Sequence, residues 1–241
     1  MLLIGHRGNG QNSYIKKDRT EENTLASFQA AQILKADMIE LDIQVTKDKI
    51  PIIVHDWRVG EKQVSLQEMA TFENPTTLAQ VLLTVNTRLN LEIKYPSVQE
   101  KKDFGLEKFP SVSEYCLTIL KVVEESKRTD ILFSSFSPKV CEFLKKKTRF
   151  PVMFITDLSL VFFSLEQCIC FCSKIGLFGI VIDSNAIIDS LYLVRNMKER
   201  NLVVYTYGAL NNSKLHIDMQ REAGVDGLIT DELENFFYPM E

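Results

Sequence analysis

The chain has 241 residues, 45% apolar and 25% charged, which is enough for a well-buried core and too apolar for a disordered segment. With 28 basic against 32 acidic side chains the formal charge is −4, so no overall field recruits nucleic acid or draws the chain to an anionic membrane. Any phosphate handled here has to meet a local cluster of cations.

Met1 to Ile4 is a short apolar run broken at Gly5-His6-Arg7, the pattern of a strand and not of a signal peptide. Similar β-branched or aliphatic runs follow at Met38 to Thr46, Leu89 to Lys94, Ile131 to Phe136, Pro151 to Thr156, Gly179 to Ser184, Leu202 to Tyr207 and Asp226 to Asp231, which with Leu2 to Gly8 makes eight. Between them, apolar residues at three- and four-residue spacing predict helices at Thr24 to Lys35, Thr77 to Val85, Ser113 to Lys127, Pro138 to Lys147, Leu165 to Lys174, Ser190 to Arg200 and Ser213 to Ala223. Eight strands alternating with helices predict an α/β fold, a (β/α)₈ TIM barrel, as a single domain over residues 1–241.

One extra apolar run, Ile50 to His55, follows the turn-like Thr46-Lys47-Asp48-Lys49. If the second strand overshoots the barrel rim and folds back there, an extended β-hairpin returns His55 level with Leu41 and Asp42. The most lipid-like stretch, Pro151 to Asp183, is interrupted by Asp157, Glu166 and Lys174, so it is core and no stable membrane insertion is expected. Cys116, Cys141, Cys168, Cys170 and Cys172 are odd in number and fit no disulfide framework, pointing to a reducing, cytoplasmic setting. On a helix Cys170 turns away from Cys168 and Cys172, so the three are not a metal site.

Barrel enzymes carry their chemistry at the C-terminal ends of the strands. Here the first strand ends in His6-Arg7, the second carries Glu40-x-Asp42, the hairpin returns His55-Asp56 and the third carries Glu92-x-Lys94. Residues two apart share a face, so three carboxylates look into one rim. Two carboxylates about 4 Å apart repel by roughly 4 kcal/mol at an effective dielectric of about 20, so a cation has to compensate. The all-oxygen set Glu40, Asp42 and Glu92 suits one hard divalent cation, Mg²⁺ or Ca²⁺, without separating the two. Arg7 and Lys94 add fixed positive charge for a phosphate ester, and His6 and His55 can exchange protons near neutral pH. Asp183 and Asp231 also close strands and are read as structural, and Lys145-Lys146-Lys147 as a solvated helix end.

In order and spacing, His6-Arg7-Gly8, Glu22-Asn23-Thr24, Glu40-x-Asp42, Thr46-Lys47-Asp48, His55-Asp56, Glu92-x-Lys94 and Gly224-Val225-Asp226-Gly227 resemble the glycerophosphodiester phosphodiesterase family. Gly5-His6-Arg7-Gly8-Asn9-Gly10, Ser134-Ser135-Phe136 and Tyr205-Thr206-Tyr207-Gly208 followed by Leu210-Asn211-Asn212 are most similar to its eukaryotic glycerophosphocholine phosphodiesterase branch. The resemblance implies a TIM barrel that cleaves a small-molecule glycerophosphodiester, with glycerophosphocholine the expected substrate, to glycerol 3-phosphate and an alcohol. It implies Glu40, Asp42 and Glu92 as metal ligands, His6 and His55 as the acid/base pair, and Arg7 and Lys94 as phosphate contacts; Tyr207, where many members differ, is expected as a substrate contact. Glu22 and Asn23 take supporting roles.

Many family members carry a tryptophan on the strand where this chain has Tyr205-Thr206-Tyr207, and the single Trp here is Trp57. The stretch from Trp57 to Thr76 is short beside the cap insertion of several relatives, and Asn9 to Arg19 offers a small polar lid instead. A phospholipid-cleaving lyase that stops at a cyclic phosphate and a silent glycerophosphodiester-binding barrel are the competing readings. The sequence leaves the oligomeric state open.

Overall fold

The structure, a computed structural model, describes residues 1–12, 20–156 and 164–236. Eight parallel strands close on themselves: β1 (Leu2–Gly5), β2 (Met38–Val45), β6 (Arg88–Ile93), β7 (Ile131–Ser135), β8 (Val152–Thr156), β9 (Gly179–Asp183), β10 (Val203–Tyr207) and β11 (Gly227–Thr230). The ladder runs β1-β11-β10-β9-β8-β7-β6-β2, and β1 pairs with β2 to complete the ring. Seven of these strands lie within a run expected from sequence and β6 begins one residue before its run, at Arg88, because strands covered on both faces carry near-continuous apolar residues.

The predicted hairpin is present. β3 (Pro51–Ile53) pairs antiparallel with β2 in the register Ile43 to Ile53 and Val45 to Pro51, and Val54 N donates to Asp42 O at 3.0 Å. His55 therefore returns opposite Leu41. The turn is held by Thr46 Oγ1, which donates to Asp48 Oδ1 at 2.6 Å, with Lys49 in the left-handed region at φ 62°. Pro51 opens an edge strand, where a missing N–H leaves no ladder bond unmade.

Helices α1 (Leu25–Ile33), α2 (Leu78–Thr84), α4 (Val112–Ser126), α5 (Pro138–Lys147), α6 (Leu165–Ile175), α8 (Tyr192–Glu199) and α9 (Lys214–Ala223) surround the barrel at the expected places. Thr24 caps α1, and Thr77 and Ser164 form capping boxes with Gln80 and Gln167. Cys170 of α6 is exposed while Cys168 and Cys172 are buried, as the helical phase requires. The apolar faces of these helices pack on the outside of the strands as the main core. A smaller core of Ile4, Met38, Leu132, Met153, Ile155, Val181, Tyr205 and Ile229 fills the barrel interior and floors whatever sits above it.

Among the described residues, four short strands and α-helices had no expectation: β4 (Arg58–Val59), β5 (Lys62–Gln63), α3 (Val98–Asp103) and α7 (Ser184–Ile187). Segments of two to six residues are too short to show a period. Residues 13–19 of the expected Asn9 to Arg19 lid lie outside the described residues. Among the described residues no helix is long and apolar enough to cross a membrane.

Candidate active site

The exit of β1 makes an unusually tight turn. Arg7 sits in the left-handed region at φ 49° and Gly8 at φ 96°, where a Cβ on Gly8 would lie 2.3 Å from Ser27 Oγ. Only glycine fits against α1 at that point. The turn points the Arg7 backbone N–H at Glu40 Oε2 (2.9 Å) and sends its side chain across the rim, with Nη1 donating to Glu22 Oε1 at 2.8 Å and Nε 3.4 Å from Asp42 Oδ2. Asn23, also left-handed at φ 57°, donates from its backbone to Arg7 O at 3.0 Å and from Nδ2 to Asp42 Oδ2 at 2.8 Å. Glu22 and Asn23 thus stand behind Arg7 and Asp42 and fix their orientation.

The three carboxylates Glu40, Asp42 and Glu92 are buried, with one oxygen of each lying within 4.8 Å of the others. Their protonation is split by their surroundings. Burial and the charge of Asp42 push Glu40 up to about 8, and burial with the same neighbour pushes Glu92 up to about 7. Burial acts on Asp42 in the same direction, but Lys94, His55, Arg7 and the Asn23 amide outweigh it and hold Asp42 down at about 2. Lys94 Nζ lies 3.5 Å from Glu92 Oε1 and 3.9 Å from Asp42 Oδ1, and sits over the Trp57 ring at 5.5 Å from its centroid.

Glu40 Oε1 and Glu92 Oε1 are buried without a hydrogen-bond partner, as are both amide atoms of Asn90, which lines the same cavity. An orphaned buried carboxylate oxygen costs several kcal/mol unless a cation or a proton meets it. Three carboxylates, with Glu40 Oε1 unmet and Glu92 Oε1 met only by the Lys94 ammonium at 3.5 Å, fit a hard divalent cation. Their side chains form the described residues' sole candidate metal cluster.

The two histidines are held differently. His6 Nδ1 lies 2.7 Å from Asp231 Oδ1 and its Nε2 lies 4.0 Å from Glu40 Oε2. Burial lowers the His6 pKa, but the hydrogen bond to Asp231 and the charges of Glu40 and Asp231 outweigh it and raise it above the ordinary imidazole value. His55 Nδ1 lies 2.8 Å from Asp56 Oδ1, yet burial together with Lys94 and Arg7 lowers its pKa. Its loop is clamped from β2: Gln44 Nε2 donates to the carbonyls of Val54 (3.2 Å), His55 (3.2 Å) and Asp56 (2.7 Å).

These groups line one cavity of about 240 Å³ at the C-terminal mouth of the barrel. His6, Arg7, Glu40, Asp42, His55, Glu92 and Lys94 form its charged side, and Phe136, Ile155, Val181, Tyr207 and Ile229 its apolar side. Tyr207 donates its hydroxyl to Thr156 O at 3.0 Å and meets Phe136 edge to face, whereas Tyr205 packs inside the barrel. Asp183 caps α7, a structural position as expected. Asp231 is the correction: expected to be structural, it lines the cavity and touches His6. Its strand-end position was the available signal, and Gln44, one alternation beyond Glu40-x-Asp42, carried the same one. His216, the third histidine, lies outside the cavity beside Ser213.

The sequence profile of the glycerophosphoryl diester phosphodiesterase family matches residues 6–235. A glycerophosphocholine phosphodiesterase of Candida albicans is 29% identical over 96% of this chain, and one of Schizosaccharomyces pombe 29% identical over 97%, each alignment covering 28% of the relative. A chloroplastic glycerophosphodiester phosphodiesterase of Arabidopsis thaliana is 31% identical over 97% of this chain and 78% of its own. The chain thus spans little more than a quarter of the fungal relatives' length. Among solved structures, an Oleispira antarctica phosphodiesterase in complex with sn-glycerol-3-phosphate superposes with a TM-score of 0.79 at 18% identity, covering 98% of this chain and 95% of that one. A Thermotoga maritima glycerophosphodiester phosphodiesterase gives 0.74 at 22% identity, covering 98% and 96%. Both superpositions extend over nearly the whole closed (β/α)₈ barrel of this chain.

Proposed function

The chain belongs to the glycerophosphoryl diester phosphodiesterase family, and we propose that it hydrolyses glycerophosphodiesters to glycerol 3-phosphate and an alcohol, with glycerophosphocholine as substrate. The observation that carries the reading is one cavity holding three buried carboxylates, two fixed cations and two histidines. The choice of glycerophosphocholine is supported by the names of the Candida and Schizosaccharomyces relatives.

Glu40, Asp42 and Glu92 hold one divalent cation, Mg²⁺ or Ca²⁺, which when bound supplies positive charge against the phosphoryl oxygens. Arg7 and Lys94 bind the phosphodiester from the same side, the guanidinium as a fork and the ammonium as a point charge. Tyr207 faces the substrate from the apolar side. His55, held below the ordinary imidazole pKa, is neutral and takes the proton of the glycerol 2-hydroxyl as that oxygen bonds to phosphorus. The bond from phosphorus to the headgroup oxygen breaks, and His6, held above its ordinary value, gives its proton to the departing alcohol. Water then opens the cyclic phosphate with the two histidines in exchanged roles, leaving glycerol 3-phosphate and restoring both protons.

The test is release of glycerol 3-phosphate from glycerophosphocholine in EDTA and with added Mg²⁺ or Ca²⁺. Cation-dependent release is expected, abolished in Glu40→Ala and reduced about 10²- to 10⁴-fold in His6→Ala and in His55→Ala. A folded wild-type protein that releases nothing with either metal, or stops at the cyclic phosphate, overturns the reading. The setting we infer is cytoplasmic, supported by five unpaired cysteines, four of them buried.

A further inference from the structure

We propose that Asp231, seated by Asn212, is the positioning residue that fixes the ring of His6 and makes Nε2 its working nitrogen. The proposal rests on the reading of His6 as a proton-transfer group and goes beyond it by assigning the groups that hold it. His6 Nδ1 lies 2.7 Å from Asp231 Oδ1. Asp231 is buried, and its pKa is lowered because the His6 ring, the Gln11 amide and Asn212 together outweigh the burial that would raise it. An ionised carboxylate only accepts, so Nδ1 has to be the donor, and Nε2, 4.0 Å from Glu40 Oε2, is left toward the cavity.

Asp231 is itself held from several directions. Its backbone N–H donates to Asn212 Oδ1 at 3.1 Å, and that oxygen also accepts from Thr230 Oγ1 at 2.8 Å. Gln11 donates to the carboxylate from its backbone at 2.9 Å and from Nε2 at 3.4 Å. One residue earlier, Asn211 is fully buried, donates to Ile229 O at 2.9 Å and accepts from Gln220 Nε2 at 3.0 Å. The Leu210-Asn211-Asn212 segment thereby locks the loop after β10 onto the end of β11. The contrast with His55 is direct, because its partner Asp56 is its chain neighbour with a side chain 79% exposed. Outer groups that fix the tautomer of a working histidine commonly affect function by one to two orders of magnitude.

The chain has only three histidines, so ¹⁵N-detected NMR of the ring nitrogens, assigned with His6→Ala, His55→Ala and His216→Ala, reads the state of His6 directly. In the wild type, Nδ1 of His6 is expected to stay protonated, hydrogen-bonded and slow to exchange whether the ring is charged or neutral, with the transferable proton on Nε2. In Asp231→Asn that signal is lost or exchanges with the other tautomer. With glycerophosphocholine, kcat is expected to fall about 10²-fold while KM and the Ca²⁺ dissociation constant stay within about twofold. Asn212→Ala shifts the same NMR signal in the same direction with a smaller loss, about tenfold, and provides the test if Asp231→Asn melts far below the wild type. Adding Asp231→Asn to His6→Ala is expected to cost little more than His6→Ala alone.

An unchanged His6 signal in both variants overturns the proposal. So does a loss that falls equally on kcat, KM and Ca²⁺ binding, which is the mark of a purely structural residue. Because the NMR measurement needs no turnover, inactivity of the wild type counts against the hydrolytic reading alone.

Discussion

Glu40 and Glu92 are carboxylic acids placed where acids are costly: buried, beside the ionised Asp42, each with one oxygen lacking a hydrogen-bond partner. Both are raised into the neutral range, to about 8 and about 7, while Asp42 stays ionised far below it. A cation needs the anionic ligands, so binding has to expel the protons that Glu40 and Glu92 carry near pH 7. Calorimetry of Ca²⁺ or Mg²⁺ binding at pH 7, in two buffers of different ionisation enthalpy, is expected to show proton release of about one per cation. The dissociation constant is expected to fall as pH rises from 6 to 8. Binding that is independent of pH and of buffer means the two glutamates are already ionised in the free protein.

The β2–β3 hairpin performs two tasks with one alternation. Glu40 and Asp42 point into the mouth, and Gln44 on the same face reaches across to hold the carbonyls of residues 54 to 56, from which His55 projects. Replacing Gln44 by Leu leaves the carbonyls of half-buried Val54 and His55 and of exposed Asp56 without that donor, a cost of about 1 kcal/mol in stability measured by urea unfolding. Turnover is expected to fall about ten- to a hundredfold through His55, with Ca²⁺ affinity kept because the β2–β6 ladder still fixes Glu40, Asp42 and Glu92. A Gln44→Leu protein of wild-type rate removes the clamp from the mechanism; a loss of Ca²⁺ affinity shows that it acts on the carboxylates instead.

At the scale of the whole molecule, the acidic mouth makes stability depend on cation and pH together. A carboxyl whose folded pKa lies above its unfolded value near 4.5 favours the folded state below that value. This contribution is lost as pH rises through the folded pKa, so without cation the barrel weakens between about pH 5 and pH 9. Asp42, lowered, has its effect only in strongly acid solution and does not enter this window. A bound cation reverses the penalty by mass action. The rise in melting temperature on adding Ca²⁺ is therefore expected to be larger at pH 8.5 than at pH 6. Equal gains at both pH values contradict the raised carboxyls.

Most of the barrel was legible because its signals are local. Strands covered on both faces need unbroken apolar runs, and a two-residue period commits Glu40 with Asp42, and Glu92 with Lys94, to one side whatever the fold around them. The turn at Thr46-Lys47-Asp48-Lys49 announced the hairpin in the same way, and with it the return of His55. The two-residue strands Arg58–Val59 and Lys62–Gln63 were too short to leave a pattern.

What the chain alone determined was the alternation of elements, the strand-end position of each acid, base and cation, and hence the class of chemistry. Tertiary structure decided which of these groups meet. Asp231 reaches His6 across 225 residues only because β11 pairs with β1 to close the ring. The split protonation of Glu40, Asp42 and Glu92 likewise arises from burial and mutual distance, properties that no local pattern carries.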